Sequence, residues 1–166
     1  MTDTTILIVE NDPLRLIAMH AVLKEFLPNA RIVEFTNAPA SILWLESHWQ
    51  SVSLVSLDFD LGTDEELANE ELDVGTGGDV AEWLSQKTQF CPVILHTDSF
   101  FTRPTMQKRL DAGGWRHDYV TPGNGTAWVA KKWMPMVLQK LDVNPKEQQK
   151  ANTQKKMKAN LASGPS

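Results

Sequence analysis

The chain has 166 residues, 42% hydrophobic and 22% charged, a balance that excludes a disordered chain, a collagen-like polymer and a disulfide-stapled miniprotein. Its one cysteine, Cys91, cannot form an intramolecular disulfide, and no apolar run approaches the ~18 residues of a membrane span. The net charge is −5, and residues 142–166 carry five lysines against Asp142 and Glu147, so residues 1–141 hold −8, a poor basis for general nucleic-acid binding.

Ile6-Leu7-Ile8-Val9 is an uninterrupted apolar run, the pattern of a strand buried on both faces. No basic flank or signal-type core precedes it, so a cytoplasmic protein is expected. Asp12-Pro13 supplies an N-cap and a first-turn proline for a helix whose apolar face reads as Leu14, Ile17, Ala18, Ala21 and Val22. A second strand is predicted over 30–35, a helix over 39–49 and a third strand over 52–57. The acidic stretch Asp64 to Asp73 reads as a solvated loop or short surface helix. It leads to Gly75-Thr76-Gly77-Gly78, for which loop flexibility is the simplest account. A helix over 79–87, a strand over 92–95 and a helix through Met106 and Leu110 follow. That helix stops at Gly113-Gly114, a short fifth strand covers 118–120, and a last helix covers 127–141. Pro135 should break or kink the last helix, because an interior proline removes a hydrogen bond and clashes with the preceding turn. Packing on helices accounts for Trp44, Trp49, Trp83, Trp128 and Trp133, and Cys91 reads as a buried, inert thiol.

Two parts are therefore expected: a domain over 1–141 and a polar, basic, disordered tail over 142–166, too short and polar to form a DNA-binding domain. Five strands alternating with five helices predict a doubly wound α/β fold. The expected five-stranded parallel sheet has the order 2-1-3-4-5, flavodoxin-like, with helices on both faces.

Ligands in such a sheet bind beyond the carboxyl ends of the strands. The residues there are Glu10-Asn11-Asp12, Asp58-Phe59-Asp60, His96-Thr97-Asp98-Ser99 and Thr121-Pro122. With strands one and three adjacent, Glu10 and Asp58 converge, with Asp60 or Asp12 nearby. Clustered carboxylates repel unless neutralised, and a hard divalent cation such as Mg²⁺ does this with oxygen ligands. Asp12 alone is explained as a helix cap. Asp58 is not, because a charge ending a buried strand needs a partner. His96, one residue from Thr97 at a strand exit, carries an imidazole, a group suited to donate to a phosphate oxygen.

The segment from Ile6 to Pro13 resembles the opening of response-regulator receiver domains, where an acidic pair binds Mg²⁺. Val55-Ser56-Leu57-Asp58 is similar to the strand carrying their phospho-accepting aspartate, and Pro92 to Thr97 resembles the strand ending in their switch Thr/Ser. The resemblance, over about residues 5–141, implies a stand-alone signalling domain with Asp58 as nucleophile, Thr97 and His96 beside it, and a histidine kinase or other signalling protein as partner. It also implies a weak Mg²⁺ site at Glu10, Asn11, Asp58 and Asp60, weakened because Asn11 replaces an acidic residue. Thr121 stands where receivers carry a lysine, His96 replaces an apolar residue, and the loop after Asp58 is longer.

These departures, with Ser56 to Gly62, Thr76-Gly77-Gly78-Asp79-Val80 and His96-Thr97-Asp98-Ser99, resemble the divergent cyclic-phosphate-processing receivers. That likeness implies an alternative, the binding or processing of a cyclic or terminal phosphate ligand at the same pocket. A third reading is a degenerate receiver acting as a protein-interaction module.

Overall fold

The opening apolar run is strand β1, Thr5–Val9, buried along its whole length. It lies between β2 (Arg31–Phe35) and β3 (Leu54–Leu57) in a five-stranded sheet completed by β4 (Val93–Leu95) and β5 (His117–Tyr119), in the order β2-β1-β3-β4-β5. All four pairings are parallel, as the alternating pattern predicts. This computed structural model describes residues 4–144 together with Thr153, Gln154 and Met157. The expected tail therefore lies outside the described residues, apart from those three and residues 142–144. No helix among the described residues is long and apolar enough to cross a membrane.

Side chains alternate between the two faces of each strand, which divides the core in two. Leu7, Val9, Val55, Leu57, Val93 and Leu95 pack against α2 (Ala38–His48), α4 (Gly77–Ser85) and α5 (Arg103–Ala112), after a short α3 (Asp64–Ala68). On the other face, Ile6, Ile8, Leu54 and Ile94 meet α1 (Pro13–Phe26) and α6 (Met134–Lys140). Glu10, Ser56, Asp58 and His96 continue the residue parity of this second face, so the sequence delivers polar groups where the α1 and α6 side meets the strand ends.

Two expectations need correction. The apolar face of α1 is rotated from the one read in the sequence: Leu14 and Ile17 are each 66% exposed, while Met19 and Leu23 are buried. Arg15, Met19 and Leu23 follow i, i+4 spacing, so a cation heads the stripe that faces the sheet. The last helix is not broken at Pro135. A π-helical turn, Val129–Trp133, precedes it, and the Met134 N–H reaches back to the Val129 carbonyl. The proline then falls in the first turn of α6, where a missing N–H costs little.

Candidate functional site

One rung of the sheet ends at Val9, Leu57 and Leu95, which are paired across β1, β3 and β4. The next residue on each strand is Glu10, Asp58 or His96, and all three are buried. Sheet hydrogen bonding continues into this row, with Asp58 N–H donating to Val9 O at 2.9 Å and His96 N–H to Leu57 O at 3.0 Å. The expected convergence of Glu10 with Asp58 is thus a direct result of strand order.

Arg15 joins the cluster from α1. Its Nη1 lies 3.2 Å from Asp58 Oδ2 and 3.5 Å from Glu10 Oε2. Its Nη2 is 3.3 Å from Asp98 Oδ2, and its Nε is 3.9 Å from Asp12 Oδ2. Asp12 caps α1 by accepting from the N–H groups of Leu14 and Arg15, which fixes where Arg15 leaves the helix. The second oxygen of each buried acid is held by backbone. Glu10 Oε1 accepts from Asn11 and Asp12 N–H at 2.9 and 2.8 Å, and Asp58 Oδ1 from Phe59 N–H at 2.7 Å.

His96 connects this cluster to the core. Its Nε2 faces Glu10 Oε2 at 3.2 Å; neither atom has a well-formed hydrogen bond elsewhere, and their own contact falls short of one. Its Nδ1 is 2.9 Å from Ser56 Oγ, which in turn accepts from Trp133 Nε1–H at 2.8 Å. The Ser56 hydroxyl can donate to Nδ1 or accept from it, so this contact holds the ring in place in either tautomer. The ring also stacks on Trp128, 6.1 Å between centroids.

Burial pushes the carboxyls up, and the neighbours decide which stays ionised. For Glu10 burial is outweighed by His96, the Asp12 N–H and Arg15, which hold it below the usual carboxylate range. Burial dominates at Asp58, helped by the negative charge of Glu10, and raises it to about 6 against the pull of His96, Phe59 N–H and Arg15. The two acids are thus split, with Glu10 the fixed anion and Asp58 the titrating one.

The four residues expected to hold Mg²⁺ are only partly brought together. Glu10 and Asp58 meet, but the Asn11 amide donates to Gly62 O at 2.9 Å. Asp60 is exposed and takes no part in the cluster's ion pairs or hydrogen bonds. Among the described residues no group of three or more His, Cys, Asp or Glu is arranged to hold a metal ion. The free carboxylate oxygens point at a guanidinium, so the residues as arranged do not fit a divalent ion.

On the far flank Thr97 is buried and its Oγ1 accepts from Ser99 N–H at 3.3 Å. Thr121 Oγ1 accepts from Arg103 Nη1 at 3.1 Å, and the Arg103 guanidinium lies 4.2 Å over the Tyr119 ring. A cation is therefore present beside Thr121, though it comes from α5 instead of β5.

The Thr76-Gly77-Gly78 segment is the close-packed start of α4 and not a flexible loop. A Cβ on Gly77 would lie 1.9 Å from the Asp58 carbonyl oxygen, so only glycine lets α4 reach the end of β3. The acidic stretch is tied down as well: Glu66 accepts from Thr36, Asn37 and the Thr63 N–H. A surface depression of about 680 Å³, lined by Thr5, Arg31 and Ser53 among others, is at the amino edge of the sheet, away from the buried acids.

Arg15 and Trp133 were not singled out as functional in the sequence. For Arg15 the signal was available as the i, i+4 stripe with Met19 and Leu23. Ser56, a hydroxyl in an apolar strand, signalled the need for a partner.

The profile of the cyclic-phosphate processing receiver domain matches residues 12–112, more than half of the chain. The chain belongs to this family. No curated protein matches the sequence. Solved receiver structures share the fold at low identity. The phosphorylated cyanobacterial phytochrome response regulator RcpA is 12% identical, covering 84% of this chain and 94% of its own, with a TM-score of 0.66. A response-regulator receiver domain from Rhodospirillum rubrum is 20% identical over 82% and 92%, with a TM-score of 0.60. The Mn²⁺-bound form of response regulator Rcp1 is 17% identical over 82% and 90%, with a TM-score of 0.57. The matched stretch of this cyclic-phosphate processing receiver contains Arg15, Asp58, His96 and Thr97, while Glu10 lies just before it.

Proposed function

We propose that this domain accepts a phosphoryl group on Asp58, in the manner of a stand-alone signalling receiver. The observation that carries the reading is the Asp58 carboxylate, nearly buried at the end of a central strand, with Oδ2 against the Arg15 guanidinium. The ionised Oδ2 attacks phosphorus, forming an acyl phosphate as the bond to the leaving group breaks. Arg15 turns toward the phosphoryl oxygens and offsets their charge.

His96 is buried with Nε2 3.2 Å from Glu10 Oε2, so it lies behind the acids and does not reach a leaving group. The site thus favours donors whose leaving group departs without a strong acid, namely an acyl phosphate or the phosphohistidine of a histidine kinase. A second reading, a cyclic phosphate ligand in the same pocket, is favoured by the family match and by the hydroxyl of Thr121 where a receiver lysine would stand.

Incubation with acetyl phosphate should give a one-phosphate adduct by intact mass, absent in Asp58→Asn. Its rate of formation should rise as pH passes about 6, where Asp58 ionises. No adduct, together with consumption of a cyclic nucleotide monophosphate, would replace the first reading by the second.

A further inference from the structure

Four acidic side chains, Glu10, Asp12, Asp58 and Asp98, lie within 3.9 Å of one guanidinium, that of Arg15. No other Lys or Arg among the described residues forms an ion pair with any of them. Arg15 is held from three directions. Its backbone follows the Asp12 cap, its side chain heads the buried stripe of α1, and its guanidinium lies 5.8 Å over the Trp128 ring. The carboxylate oxygens that a divalent ion would use are the ones that Arg15 takes, while the remaining oxygens of Glu10 and Asp58 are committed to backbone N–H groups.

We propose that Arg15 is the resident cation of this pocket: its guanidinium takes the place a divalent ion holds in metal-dependent phosphate sites, so the pocket neither recruits nor requires such an ion. A second cation entering the cluster is repelled by the guanidinium and finds no free pair of carboxylates. The planar fork of arginine also presents paired N–H groups to phosphate oxygens, which an ammonium cannot match. On arrival of a phosphoryl group, Nη1 exchanges the Asp58 oxygen for phosphoryl oxygens, and Nη2 remains near Asp98. The phosphoryl part of this proposal rests on the reading of Asp58 as acceptor; the exclusion of metal does not.

Two measurements on the full chain test it. Titration with Mn²⁺, followed by tryptophan quenching because Trp128 adjoins Arg15, should show no saturable site in the unaltered protein. Arg15→Ala should gain a saturable site over the same Mn²⁺ range, because four carboxylates then lack a counter-charge. Saturable binding of equal affinity in both proteins, abolished by Asp58→Asn, overturns the proposal. If Arg15→Ala fails to fold, the unaltered protein decides: an Asp58-dependent Mn²⁺ site overturns the proposal and its absence upholds it.

In the second measurement, acetyl phosphate labelling should proceed at the same rate in EDTA and in Mg²⁺. Labelling only in Mg²⁺ overturns the proposal. Absence of labelling in both conditions removes the phospho-acceptor reading instead, and the Mn²⁺ titration then stands as the deciding result for Arg15.

Discussion

The β1–β3 flank of the strand-end crevice and its β4–β5 flank are built differently. On the first, Glu10 and Asp58 each have one oxygen on backbone N–H groups and the other against Arg15. The Trp133, Ser56 and His96 chain supports the array from below. On the second, Thr97 and Thr121 make single side-chain hydrogen bonds, and the chain runs out through Phe100 and Phe101, 71% and 92% exposed. A preorganised charge array costs little reorganisation when a phosphoryl group arrives. A loosely bonded flank can change conformation at low cost. On the proposed reading, fixing the chemistry on one side leaves the other free to report it.

Glycine substitution gives the largest test of that contrast. Gly77→Ala would drive a Cβ to 1.9 Å from the Asp58 carbonyl oxygen, a backbone atom that cannot yield without moving the end of β3. Urea denaturation should show a loss of about 3 kcal/mol, at the upper end of overpacking effects. Gly123→Ala, just beyond β5, has nothing within 4 Å of the new methyl group and should change stability by less than ~0.5 kcal/mol. Equal losses at the two positions would mean that the flanks do not differ in rigidity.

Charge on the rigid flank gives the next effect. Asp58 is raised from 3.8 to about 6, first by burial and then by the charge of Glu10, so between those values the folded state binds more protons than the unfolded one. This contribution to stability is complete below 3.8 and is lost as pH rises through about 6. Glu10, held below its ordinary value, acts in the opposite sense: its stabilisation is present at neutral pH and is lost as pH falls through its lowered value. The difference between Asp58→Asn and the unaltered protein isolates the first contribution. The variant should be more stable by up to about 3 kcal/mol at pH 8, with the gap closing below pH ~4. A gap of the opposite sign at pH 8 would mean that the Arg15 contact outweighs the burial of the charge.

The contrast between the flanks also explains what could be read from the chain. The ends of β1 and β4 are legible because Glu10 and His96 each follow an apolar run, and the meeting of Glu10 with Asp58 follows once the doubly wound order sets β1 beside β3. Arg15 is hidden in the sequence because Leu14 and Ile17 suggest a more hydrophobic helical face, whereas the fold buries Met19 and Leu23 and turns the arginine toward the acids. The resemblance puts Asn11 in the receivers' acidic pair, and proximity in sequence puts Asp60 beside Asp58. Their placement is set by the Gly62 carbonyl and by the turn after Asp58, which no periodicity encodes.

The smallest effect on stability belongs to Thr121, on the adaptable flank. Its hydroxyl accepts from Arg103, so Thr121→Lys places an ammonium beside an existing guanidinium near the surface, at a cost below ~0.5 kcal/mol. Its effect on response should be larger. Beryllofluoride, a phosphoryl mimic, should shift amide signals around Thr97 only partially in the unaltered protein, because Arg103 is occupied by Thr121 and by the Tyr119 ring. A lysine would add a cation able to follow the phosphoryl oxygens, and the same titration should then give larger shifts from Thr97 to Phe101, with those at Glu10 and Asn11 unchanged. Larger shifts on both flanks would mean that the acidic array is less fixed than its hydrogen bonds indicate. No change on either would place Thr121 outside the pocket, leaving Arg15 to carry the charge compensation alone.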